Sequence, residues 1–261
     1  YDTSLVYRAY ALFGDPRLPV ELAVAGSVGE DTALFGEVRY YWSQLSPATQ
    51  NLLTPFVSRP TDSRSIYNQP GAPGFPTDAA NEALASPSYA KPDCSNNWAA
   101  KDSQRFPFKV WTHCTGDYEG DLDSAIVMVE DFWEREVAIM GPPMLDTGSE
   151  EQGGDNRIDL YFVDDEADVV PRRGGDVISE TALAHAAPDA PVVGKGSSGY
   201  VVGRRAYVGK PDQILVLAHE FFHILQDAHN WELSFGFKGT PYDDDFEVLS
   251  FSEYWFVEAT A

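Results

Sequence analysis

Two histidines four positions apart flank a glutamate in the run His219-Glu220-Phe221-Phe222-His223. At about 100° per residue, side chains four apart lie one above the other on a helix face, so both imidazoles can reach one ion. Neutral imidazole suits zinc. A carboxylate one residue after the first histidine sits at the edge of that face, where it can take a proton from a metal-bound water without ligating the metal. Glu220 is therefore the expected general base. The competing reading is a core helix whose histidines only hydrogen-bond. The chain has five histidines, and two of them fall at this spacing with a glutamate between, which favours the metal.

The element that must carry these residues is well signalled. Pro211 fits the first helical position, where a missing N–H costs nothing, and Asp212 complements the positive end of the helix dipole. Ile214, Leu215, Ala218, Phe222 and Leu225 form the expected buried stripe.

Catalytic zinc usually has three protein ligands and one open position. Two candidates compete for the third place. His229 stands ten residues after His219, the spacing in which a glycine turns the chain sharply and brings a last histidine back. That glycine is Gln226 here, and Met128, Met140 and Met144 all precede the motif, so the downstream methionine turn of that pattern is missing. The other candidate is Glu258, in Trp255-Phe256-Val257-Glu258-Ala259-Thr260-Ala261, where small residues after the acid allow close approach to the metal helix. The alternative for Glu258 is a solvated helix glutamate. Candidate oxyanion donors are His229, Tyr242 and Tyr254, none singled out by spacing.

These two motifs, His-Glu-Phe-Phe-His-Ile-Leu-Gln at 219–226 and Trp-Phe-Val-Glu-Ala-Thr-Ala at 255–261, resemble the gluzincin class of zinc metallopeptidases. Secreted bacterial proteins of this kind carry a His-Glu-Phe-x-His-x-x-Gln core and a later Trp-x-x-Glu-Ala-x-Ala helix. Gly153-Gly154-Asp155-Asn156-Arg157-Ile158-Asp159-Leu160-Tyr161 resembles a further segment of that group, so the likeness covers about residues 105 to 261. It implies a zincin-like fold, peptide-bond hydrolysis, His219, His223 and Glu258 as zinc ligands, and Glu220 as base. In gluzincins a further subdomain usually follows the glutamate helix. This sequence stops three residues after Glu258, so a C-terminal continuation or a second chain is expected to complete the cleft. The alternative function is a noncatalytic extracellular binding or surface-assembly module that keeps the fold.

Around the motif, residues 1–57 read as a helical segment, with Leu34, Phe35, Val38, Tyr41, Trp42 and Leu45 at helical spacing and Ser46-Pro47 as the start of a further helix. Residues 58–107 are rich in Pro, Gly, Ser, Asn and Asp and read as a long irregular connection. The catalytic lobe is expected over 108–261. It comprises a strand from Phe108 to Thr115, an amphipathic helix from Leu122 to Met140, a strand from Arg157 to Val163, a strand or hairpin from Gly199 to Val208, and the His-Glu helix. The expected class is α+β, a mixed sheet packed on that helix. Ser198–Val202 or Arg205–Val208 is the expected cleft edge for pairing with an extended substrate.

A net charge of -23 repels nucleic acid and anionic membranes, and no apolar run approaches the ~20 residues needed to span a bilayer. The expected partner is a polypeptide substrate. Asp117, Glu119, Asp121 and Asp123 place hard oxygens on one loop and invite calcium, as do Asp243-Asp244-Asp245 with Glu247 and Asp164-Asp165-Glu166 with Asp168; solvated acidic loops are the commoner alternative. The chain begins at Tyr1 without methionine, which suggests a mature secreted form. In that setting Cys94 and Cys114, the only cysteines, are expected to form one disulfide. His113 and His185 lie far from the motif and are expected to be structural or exposed.

Overall fold

Side chains alternate between two faces along each strand, and in this protein both faces are buried. The computed structural model describes residues 2–13, 15, 17–22, 31–68, 88–89, 91–95, 97–163, 184–189, 196–234, 237–238 and 247–248. Its centre is a five-stranded mixed sheet in the order β1-β2-β3-β5-β4. The strands are β1 (Trp98–Asp102), β2 (Phe108–His113), β3 (Ile158–Val163), β4 (Ala184–Pro188) and β5 (Gly199–Arg204). β2, β3 and β5 run parallel, and β1 and β4 pair antiparallel at the two edges.

Register sorts the side chains. Val110, Leu160, Val201 and Ala186 lie side by side across four strands. With Phe108, Ile158 and Phe162 they face α4 (Tyr118–Met140) and α5 (Pro211–Ser234). The opposite face presents Trp98, Trp111, Tyr161, Ala187, Tyr200 and Val202 to α1 (Asp2–Leu12), α2 (Asp31–Tyr41) and α3 (Pro47–Val57). The result is a mixed α and β architecture of three layers, with five α-helices among the described residues. A two-stranded ribbon, β6 (Phe237–Lys238) with β7 (Glu247–Val248), follows α5.

Several local expectations hold. Ser46 caps α3, its hydroxyl accepting from the Thr49 N–H at 3.2 Å, with Pro47 first in the helix. Cys94 and Cys114 form a disulfide with a Cα–Cα separation of 5.8 Å. No helix among the described residues is long and apolar enough to cross a membrane. His113 and His185 are both buried; His113 packs on Trp98, and His185 stacks on Phe35 with ring centroids 4.6 Å apart. Burial holds the His185 ring neutral, its pKa pushed down to about 3.

Other expectations are corrected. α4 starts at Tyr118 with Asp117 as its cap, so the acidic loop is the first turn of a helix. β1 lies inside the segment read as irregular, and β4 between the expected strands Arg157–Val163 and Gly199–Val208, where no element was expected. The edge predicted from Ser198 to Val202 is interior, because β5 is paired on both sides, and Arg205–Tyr207 is a short 3-10 turn. The edge on that side is β4. Asp159 and Tyr161, which alternation alone would turn to solvent, instead enter the core beneath α1–α3.

Candidate metal centre

α5 is held on two sides before its polar face is considered. Phe221 stacks on Trp133 of α4 at 4.4 Å and meets Phe132 at 5.6 Å, while Leu217, Ile224 and Leu225 are fully buried in the same cluster. The predicted stripe is therefore rotated. Leu215 is 75% exposed, because contact with both the sheet and α4 shifts the apolar sector toward Leu217 and Phe221. A Cβ on Gly196 would collide with the carbonyl oxygen of Ala228, and the Ser197 N–H donates to the Asp227 carbonyl at 2.9 Å. The chain entering β5 thus lies against the histidine helix.

The motif occupies the side of α5 away from α4. His219, His223 and Gln226 fall within about 60° of one another around the helix axis. Glu220, His223 and Asp227 are buried, and His219 is half-buried. The two imidazole planes are 89° apart, and their Nε2 atoms approach to 3.3 Å. His223 Nδ1 lies 2.9 Å from Gln226 Oε1. A carbonyl oxygen only accepts, so Nδ1 carries the hydrogen, and in a neutral ring Nε2 is left with its lone pair.

This arrangement fits zinc. Two nitrogens bound to one tetrahedral ion at 2.0–2.1 Å stand about 3.3 Å apart. A hydrogen bond from one ring nitrogen to the other also spans this distance. Among the described residues no group of three or more histidine, cysteine, aspartate or glutamate side chains is gathered for a metal. Glu258, Tyr242 and Tyr254 lie outside the described residues, as do Asp243-Asp244-Asp245 and the acidic run at 164–168.

The structure does not bring His229 to the motif. α5 continues unbroken through Gln226 to Ser234, and His229 is exposed on the α4 side, its Nε2 3.2 Å from where a Cβ on Gly141 would be. Nor do the acids near α4 converge. Asp117 accepts from the Gly120 N–H, Asp121 pairs with Arg205 at 2.7 Å, Asp123 pairs with Lys101, and Glu119 is an exposed first-turn residue.

A second polar centre, not foreseen from sequence, sits on the other face of the sheet. Arg59, 3% exposed, binds Asp189 through two nitrogens at 3.0 and 2.6 Å, Asp146 at 2.9 Å, and Asp159. Trp111 Nε1 and the Tyr161 hydroxyl donate to Asp159, and Ser198 and Gln152 donate to Asp189. One guanidinium cannot neutralise three carboxylates, of which Asp146 and Asp159 are buried. Burial pushes the Asp146 carboxyl up to about 8 and that of Asp159 to about 6, with Arg59 opposing in part. Burial acts the same way on Asp189, but the bidentate Arg59 outweighs it and lowers that carboxyl's pKa.

No protein-family model, curated protein or solved structure matches the chain.

Proposed function

We propose that this protein is a secreted zinc-dependent endopeptidase with a zincin-like lobe, in which His219, His223 and Glu258 hold the metal and Glu220 is the general base. The observation that carries the reading is the pair of Nε2 atoms at 3.3 Å on adjacent turns of one helix, with Glu220 beside them. A disulfide between Cys94 and Cys114 agrees with an oxidising, extracellular setting.

When bound, zinc supplies Lewis acidity, polarising the scissile carbonyl and lowering the pKa of a water toward ~7. The chain's own residues do the rest. His219 and His223 would hold the ion through the lone pairs of neutral rings. Glu220 takes the proton from the attacking water and later gives it to the leaving amine. Because Glu220 shares the helix with both histidines, its distance from the reacting centre is set by backbone geometry rather than by a mobile loop.

The test is zinc content together with casein cleavage, with and without a chelator. One zinc per chain, cleavage abolished by chelation, and a Glu220→Gln variant that keeps zinc but loses ~10²–10⁴ in kcat support the reading. Full proteolysis by Glu220→Gln would overturn the assignment of the base. Zinc binding without any cleavage would favour the noncatalytic extracellular module.

A further inference from the structure

We infer that Gln226 is a positioning residue that locks His223 in the metal-competent tautomer, an inference that rests on the zinc reading above for its purpose but not for its chemistry. Its Oε1 accepts from His223 Nδ1 at 2.9 Å, which commits the ring hydrogen to Nδ1 and keeps the Nε2 lone pair pointed at His219 Nε2, 3.3 Å away. Without an acceptor there, the hydrogen is free to move to Nε2, where it blocks ligation. Histidine ligands generally need such a partner on the other nitrogen to fix ring orientation.

The contact exists only because α5 does not end. Position 226 is the one at which the alternative spacing with His229 calls for a glycine and a sharp turn; here the helix runs eight residues further, to Ser234. Gln226 lies three residues after His223, within reach along the same face. The same residue therefore removes His229 from the centre and supplies the partner for His223. Because the acceptor is one turn away on the same helix, the tautomer is set before any metal arrives.

The decisive measurement is nitrogen-15 NMR of the histidine rings in the metal-free full chain, followed by zinc affinity from competition with a chromophoric chelator. Wild type shows His223 with its hydrogen on Nδ1. Gln226→Met, nearly isosteric but without an acceptor, loses that preference and binds zinc about 10–100-fold more weakly. Gln226→Glu keeps an acceptor oxygen and restores both. A wild-type His223 carrying its hydrogen on Nε2 overturns the inference, whatever the variants do. So does Gln226→Met with unchanged tautomer and unchanged zinc affinity. If wild type binds no zinc, the endopeptidase reading falls, while the ring measurement still decides whether Gln226 sets the tautomer.

Discussion

The two faces of the sheet each bury a polar centre, and the two are built in opposite ways. Around Arg59 the partners Asp146, Asp159 and Asp189 come from positions 87, 100 and 130 residues away in sequence, and they turn their charges on one another. The motif on α5 draws His219, Glu220, His223 and Gln226 from fewer than three turns of one helix and aims two nitrogens at a common point. The first centre joins distant segments; the second is local, with His219 its half-buried member. Inward-turned charge favours a role in holding the fold, whereas two ring nitrogens brought together on one helix face suit the proposed metal.

That contrast can be broken most directly at Arg59. Arg59→Leu leaves three carboxylates, two of them buried, without their shared cation and is expected to destabilise the fold by about 3–5 kcal/mol in denaturant unfolding. A change under 1 kcal/mol would show that the cluster does not hold the layers together. The complementary test is on α5. Zinc at 100 times its dissociation constant should add about 2.7 kcal/mol to wild-type stability. His219→Ala should remove that gain while shifting the metal-free protein by about 1 kcal/mol or less. Should the metal-free variant unfold outright, the histidines would belong with the structural centre.

The smallest effect sharpens the comparison through pH. The Asp146 carboxyl rises from 3.8 to about 8 on folding, so the native state binds the extra proton, and its contribution is lost as pH climbs to 8. His185 works oppositely, but only between about 3 and 6.5, where the unfolded chain binds more protons. Above 6.5 the Asp146 effect stands clear of it, in the same direction as Glu136, which burial also raises to about 8. Stability should therefore fall from pH 6.5 to 8, and Asp146→Asn should reduce the slope. An unchanged slope in that variant would move the buried proton to another carboxyl.

Legibility in the sequence follows the range of the interactions. α5, the Ser46 cap, the end of α4 at Gly141 and the disulfide all rest on neighbours close in sequence or on residue types with few options, and all could be read. β4 could not, because Ala184-His185-Ala186-Ala187-Pro188 lacks β-branched residues and becomes a strand only by pairing with β5. The burial of Asp159 could not be read either, since nothing near it in sequence announces Arg59 or Trp111. Gln226 was visible as part of the motif, yet only the contact with Nδ1 gives it a task. Leu215 was misassigned because periodicity finds an apolar sector but not how many neighbours surround it.

The gape between the two imidazole nitrogens is inherited from a single rod whose own backbone hydrogen bonds keep it straight, clamped from behind by Phe221 under Trp133. Loops and edge strands can drift or be exchanged without widening that gape. On the proposed zinc reading, grip on the ion and choice of substrate are therefore separable traits, and one can be remodelled while the other stays put.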